Sequence, residues 1–266
     1  MKVMIMGFGN MGKTYANSFI SSRFIKPDDI YVLSRNEVSG DGQFGIPTSN
    51  FFTTPTSIIT ELDIIILSVK PQDFTTLAQT VQPYLNKNQL VLSVMAGVTI
   101  QRIQNELHVQ KIIRSMPNIP TQIGMGMTVF SAAPDVDRKE LFIVQNLINT
   151  TGKSVYVEKE ELLNAATAIS GSGPAYVFYF MNAMIQAAVE LGFNESEAEL
   201  LVNQTFMGSV AIQNSYSLSN EEWIKKVASK GGTTESALQI FQVTQVKEAI
   251  VKAIHSANNR AIELGV

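Results

Sequence analysis

The first twenty-two residues constrain the fold more than any other stretch. Met1 to Met6 is an apolar run that reads as a buried strand, and Gly7-Phe8-Gly9-Asn10-Met11-Gly12 follows at once. Helical sequence carrying Thr14, Tyr15, Ala16, Phe19 and Ile20 then continues to about Ser22. This is G-x-G-x-x-G with a strand before it and a helix after it, the setting in which the pattern has mechanical meaning. Gly7 makes the turn, Gly9 lets backbone approach a pyrophosphate, and Gly12 lets helix and strand pack closely. A chain that begins this way is expected to continue as a doubly wound, mainly parallel α/β sheet of the Rossmann type. Ligands then lie outside the carboxyl ends of the strands.

The following residues fit that plan. Strands are expected at 30–33, 63–69, 90–94, 111–115, 125–130 and 154–157, with helices at 73–84, from a Thr99 cap to Leu107, and at 135–150. The run Asp63-Ile64-Ile65-Ile66-Leu67-Ser68-Val69 is continuously apolar, as a strand covered on both faces requires. Residues 37–56 are polar, with Gly40, Gly42, Gly45, Pro47 and Pro55, and read as a loop. After Glu158 the pattern is helical throughout, which sets an expected division into an NADP-binding domain, 1–158, and an all-α substrate-binding and dimerisation domain, 159–266. Helix 175–191 is apolar on more than one face, and a second chain is the economical way to cover it.

Which dinucleotide is bound is decided at the end of the second strand. An acid about 20 residues past the glycines would bind the ribose 2′-hydroxyl of NAD, but the strand ends in Ser34-Arg35-Asn36. Arg35 offers a permanently charged fork suited to a phosphate, so NADPH is the expected cofactor and NADH a weaker one. Ser68, Val69, Lys70 and Pro71 close the third strand and should border the same cofactor. The small residues of Met95-Ala96-Gly97 and the side chain of Asn118 stand in further strand-end loops on that side. In the second half, Ser229-Lys230-Gly231-Gly232-Thr233-Thr234-Glu235 places two glycines and two hydroxyls at a helix start, an arrangement suited to a small carboxylate. The plainer alternative is a helix connection in which Thr234 only caps.

Composition removes whole classes of chemistry. The 266 residues contain no cysteine, which excludes disulfides, thiolate metal sites and a cysteine nucleophile. The two histidines, His108 and His255, are distant, so no metal site is expected; both read as structural or surface residues. A formal net charge of −3 supplies no basic footprint for nucleic acid. The N-terminus shows no signal-peptide pattern, and no apolar segment approaches the ~20 residues of a membrane span. A cytoplasmic protein with neither nucleic acid nor membrane as partner is the expectation.

GFGNMG at 7–12, SVKPQ at 68–72, MPN at 116–118, SGSGPAY at 170–176 and SKGGTTESAL at 229–238 together resemble the pyrroline-5-carboxylate reductase family, over essentially the whole chain. The resemblance implies reduction of a cyclic imine carboxylate to L-proline by hydride from NADPH. It also implies a homodimer of interlocking helical domains, in some members a decamer. It assigns cofactor binding to Gly7, Phe8, Gly9, Asn10, Met11, Gly12, Ser34, Arg35, Ser68, Val69, Lys70, Pro71 and Ala96. Glu160, Ser229, Gly231, Gly232, Thr233 and Thr234 would surround the substrate. Lys230, Pro55 and the Trp223-Ile224-Lys225-Lys226 stretch depart from the family pattern.

An iminium needs no protein nucleophile, so the chemistry asked of the chain is positioning. Thr234 is the candidate catalytic residue, its hydroxyl orienting the ring nitrogen. Two other functions remain open at this stage. One is a reductase of another cyclic imine or a 3-hydroxy acid, although helix 174–191 lacks the lysine that hydroxy-acid chemistry would want. The other is a non-catalytic, nucleotide-binding regulatory protein.

Overall fold

The computed structural model describes residues 1–36 and 43–265. By its contacts the chain forms two units: Met1–Ser172 together with the last turns of the final helix from Ala257, and Gly173–Ser256. The first unit is built on a single sheet of β1 (Val3–Met6), β2 (Ile30–Leu33), β3 (Phe51–Phe52), β4 (Ile64–Leu67), β5 (Leu90–Ser93), β6 (Ile112–Met116), β7 (Gly126–Ala132) and β8 (Gly152–Tyr156), in the spatial order β3-β2-β1-β4-β5-β6-β7-β8. β1 lies between β2 and β4, parallel to both, with Val3 opposite Ile30 and Ile64. The order reverses across β1, which is where a doubly wound sheet opens a crevice. The pair β6–β7 is antiparallel, in keeping with the mainly parallel sheet expected.

Period-2 alternation divides the strand residues between two cores, which explains why the strands read as unbroken apolar runs. Met4, Met6, Ile65 and Leu67 meet Phe74, Ala78 and Val81 of α2 (Phe74–Val81) and Ile103 and Leu107 of α3 (Ile100–Leu107). Val3, Ile5, Ile64 and Ile66 meet Tyr15, Ala16 and Phe19 of α1 (Asn10–Ser21) and Val144, Leu147 and Ile148 of α4 (Arg138–Asn149). Each such side chain, fully buried, contributes about 1.5–3 kcal/mol. Thr99 caps α3 as expected, accepting at 3.2 Å from the Arg102 amide. Asp137 and Glu140 start α4 with a reciprocal capping box.

The stretch read as a loop from 37 to 56 differs from that expectation in its second half. Phe51–Phe52 adds a short parallel strand beside Val32 and Leu33, and thereby delivers Thr53, Thr54 and Pro55 to the ends of the neighbouring strands. Gly40 and Gly42 lie outside the described residues. Contacts divide the chain at Gly173, beyond the change of sequence character near Glu158. The reason is α5 (Leu162–Ala166), which buries Leu163 and Ala166 and packs on β6 and β7. The π-turn Thr167–Gly171 then joins α5 to the next helix.

The second unit comprises α6 (Gly173–Glu190), α7 (Glu195–Ser215), α8 (Asn220–Val227), α9 (Thr233–Val243) and the first turns of α10 (Val246–Leu264). α6 and α7 pack on each other, and the buried residues of the unit are Ala198 and Val202. Val177, Phe178, Tyr179 and Leu191 stand exposed. Among the described residues no helix is long and apolar enough to cross a membrane, and no group of three or more metal-ligating side chains comes together.

Candidate active site

A cleft of about 730 Å³ opens in the first unit at the carboxyl ends of β1, β2 and β4. Eight residues singled out in the sequence line it: Gly7, Phe8, Gly9, Ser34, Arg35, Ser68, Val69 and Lys70. The glycines act as their positions demand. Gly7 holds a positive φ of +97°, and a Cβ there would lie 2.7 Å from the Ser68 carbonyl oxygen. A Cβ on Gly12 would lie 2.2 Å from the Gly7 carbonyl oxygen, so only glycine lets α1 sit this close to the loop. Gly9 faces open space with nothing within 4 Å. It is also the N-cap of α1, with no side-chain cap and no acid in the first turn, so the first amides of the helix are free for an anion. Asn10 and Met11 belong to that first turn; Gly12 lies behind the loop, buried.

At the end of β2 the Ser34 hydroxyl donates to the Asn36 carbonyl at 2.7 Å, and the Ser34 amide donates to the Phe52 carbonyl at 3.0 Å. The Arg35 side chain is 82% exposed and pairs at 3.1 Å with Asp73, which also lines the cleft. Ser68 carries a buried hydroxyl oxygen with no hydrogen-bond partner. An uncapped helix start, an open glycine, an exposed guanidinium fork and an unpartnered hydroxyl are donors that fit a dinucleotide carrying a 2′-phosphate. Lys13, on α1 with its ammonium 6.0 Å from the Phe8 ring centre, adds a second cation beside the loop.

Other residues singled out in the sequence lie elsewhere. Pro71 begins the turn into α2, and Ala96 is exposed in the loop after β5; neither lines the cleft. Asn118 spends its amide on the protein, donating to the Ser170 carbonyl at 3.0 Å and accepting from the Met127 amide at 2.9 Å. It ties the loop after β6 to β7 and to the serine-glycine turn. One Glu160 oxygen accepts from Arg114 at 2.8 Å and from the Ile100 amide at 2.9 Å, so this carboxylate neutralises a buried guanidinium and caps α3. Burial pushes the Tyr15 phenol well above its usual range, so this hydroxyl keeps its proton inside the core.

In the second unit, Gly231 has φ +73° and Gly232 is the N-cap of α9, with no side-chain cap. Thr233 and Thr234 are the first two helical residues, and neither caps. The Gly231 amide donates to the Glu235 carboxylate at 2.6 Å and the Gly232 amide to the Ser229 carbonyl at 3.0 Å. A Cβ on Gly232 would lie 2.5 Å from the Ser229 hydroxyl, which would have to rotate away, and 3.0 Å from the Ser229 carbonyl oxygen, a tight fit. The loop is thus a preformed turn whose helix start carries no capping side chain. Glu235 as its brace, Asp73, Lys13 and Arg114 were not singled out in the sequence. Only Arg114 gave a signal, a charge inside an apolar strand run.

A doubly wound sheet, a glycine loop feeding an uncapped helix and a cleft at the strand ends define an NAD(P)-dependent oxidoreductase. Residues 2–97 match the family model "NADP oxidoreductase coenzyme F420-dependent", and residues 160–264 match "Pyrroline-5-carboxylate reductase dimerisation". Pyrroline-5-carboxylate reductase 2 of Bacillus subtilis is 34% identical, over 99% of this chain and 95% of its own. The pyrroline-5-carboxylate reductase of Staphylococcus haemolyticus is 30% identical, over 99% and 98%. The solved structure from Coxiella burnetii superposes with a TM-score of 0.89 at 30% identity, covering 100% of this chain and 98% of that one. The Plasmodium falciparum pyrroline carboxylate reductase with NADP bound gives 0.88 at 26%, with the same coverage. The chain belongs to the pyrroline-5-carboxylate reductase family.

Proposed function

We propose that this chain catalyses the NADPH-dependent reduction of 1-pyrroline-5-carboxylate to L-proline, the last step of proline biosynthesis. The observation that carries the proposal is that one chain holds both a phosphate-binding cleft at the switch point of its sheet and a preformed glycine-threonine turn in its helical unit. The dinucleotide, when bound, supplies a hydride. The free amides at the start of α1 hold its diphosphate, Ser34 and Arg35 meet its 2′-phosphate, and Ser68 offers the unpartnered hydroxyl. Val69 and Lys70 form the wall beside it.

The substrate's carboxylate sits on the uncapped amides of Thr233 and Thr234, in a turn that the bond from Gly231 to Glu235 braces. Ser229, Gly231 and Gly232 shape that turn; Glu160, which the family resemblance assigns to the substrate, is held by Arg114. The Thr234 hydroxyl orients the ring nitrogen, accepting from the iminium and donating to the amine as the charge disappears. The iminium already carries its proton, so hydride addition at carbon yields the amine without a protein acid. The role of Thr234 is orientation.

The chain works as a homodimer through the helical unit, which leaves Phe178, Tyr179 and Leu191 uncovered. Phe241, Ile250 and Val251, around the α9–α10 junction, offer further apolar surface for a decamer. The direct test follows the absorbance of NADPH with pyrroline-5-carboxylate added and measures the proline formed. Equal amounts of NADPH oxidised and proline formed are expected, and no oxidation by well-folded protein overturns the proposal.

A further inference from the structure

Among the described residues the cleft is lined by three cations, Lys13, Arg35 and Lys70, and by one carboxylate, Asp73. An acid facing an arginine in a phosphate-binding cleft calls for a reason, since it repels the anion that the arginine attracts. Asp73 precedes α2 but makes no capping hydrogen bond to it. Its recorded side-chain contact is to Arg35, 3.1 Å from carboxylate to guanidinium, with the aspartate 31% and the arginine 82% exposed. An exposed pair of this kind contributes little to stability. Ser34, Asn36, Thr76 and Thr80 line the same cleft.

In dinucleotide folds a carboxylate near the second strand accepts a hydrogen bond from the ribose 2′-hydroxyl, whereas an arginine accommodates a 2′-phosphate. Here the arginine stands at the end of β2. An acid stands against it from the other side of the crevice, carried by the turn after β4.

We propose that Asp73 sets how strongly NADPH is preferred over NADH. A 2′-phosphate that engages Arg35 must part the guanidinium from Asp73 and then lie beside a like charge. A 2′-hydroxyl leaves the pair intact and donates to the free oxygen of Asp73. The carboxylate therefore holds the NADPH preference down and keeps NADH usable. This inference rests on the reading of the cleft as an NADPH site.

The test compares wild type, Asp73→Asn and Arg35→Ala, each as the full chain, with both cofactors and saturating imine. Asp73→Asn is expected to raise the ratio of kcat/KM for NADPH to that for NADH by about tenfold, the scale of one charge-assisted hydrogen bond. The KM for NADPH should fall while the KM for NADH rises. Calorimetry with 2′,5′-ADP and with AMP should reproduce the opposite shifts without turnover. A merely structural role moves both cofactors alike, and an unchanged ratio overturns the proposal. If the wild type prefers NADH and Arg35→Ala leaves that preference alone, the NADPH reading falls and takes this proposal with it. If the wild type prefers NADPH through Arg35 while Asp73→Asn leaves the ratio unmoved, this proposal alone falls.

Discussion

Gly7, Gly9 and Gly12 share one loop but meet different surroundings, and substitution separates what each does. Gly12→Ala places a methyl where the Gly7 carbonyl stands, so α1 must shift; a loss of about 1–3 kcal/mol in denaturant unfolding is expected, with cofactor affinity lost as well. Gly9→Ala meets nothing within 4 Å at an extended backbone geometry, so stability should change by less than about 1 kcal/mol. The methyl instead occupies the space in front of the α1 amides, and the KM for NADPH should rise at least about tenfold. Equal damage by the two variants, in melting and in KM, would refute the division of roles. Thr234 is exposed to a comparable separation. Thr234→Ala removes a hydroxyl that caps nothing, so the fold should persist while kcat falls by about tenfold to a hundredfold, the scale of a misplaced reacting group. Turnover at the wild-type rate removes this hydroxyl from the mechanism.

Among the elements, what the sequence disclosed was what is local. The strand–glycine–helix start and the Thr99 cap were readable because hydrophobic period, cap chemistry and turn residues lie within a few positions of each other. β3 was not, since two phenylalanines between polar turns carry no period, and only pairing with Val32 and Leu33 makes them a strand. The cap that Glu160 places on α3 was equally hidden, because its partners Ile100 and Arg114 come 60 and 46 residues earlier. Ser34-Arg35-Asn36 carries no acid in its own sequence, yet fold topology brings Asp73 to that point from the turn after another strand. α8 shows how much a local device can carry. Ser219 and Glu222 form a capping box in which the glutamate accepts from the Ser219 amide at 2.8 Å and from its hydroxyl at 2.8 Å. The bond from the backbone amide, with that from the hydroxyl, holds the Glu222 carboxyl below its ordinary value of 4.5. A depressed folded value means that the cap's contribution is present above pH 4.5 and is lost as pH falls through the lower folded value. Hydrogen exchange at the α8 amides should therefore quicken only below that pH, and Ser219→Ala should move the Glu222 midpoint back toward 4.5 by NMR titration. A midpoint at or above 4.5 in the wild type contradicts the box.

For the whole molecule, the decisive fact is how little the helical unit buries. α6 runs for eighteen residues with none of them buried, and its mean character is strongly apolar. A helix draws its stability from a covered apolar face, so α6 as a lone surface would be unfavourable in water. Phe178 and Tyr179 are 57% and 72% exposed, aromatic anchors of the kind that dominate interface energetics. A second copy of this chain is the partner that makes the surface economical, and a charge placed on α6 tests it. Phe178 is exposed in the single chain, so Phe178→Glu adds no strain to the subunit, whereas a carboxylate buried between two copies must give up its hydration. The dimer dissociation constant measured by sedimentation should rise at least about thirtyfold. Proline formation should fall with the dimer as the protein is diluted. NADPH binding, followed by fluorescence, should persist in the monomer, because the cleft is lined entirely by residues of the first unit. A Phe178→Glu protein that remains a fully active dimer at nanomolar concentration would place the subunit contact on some other face.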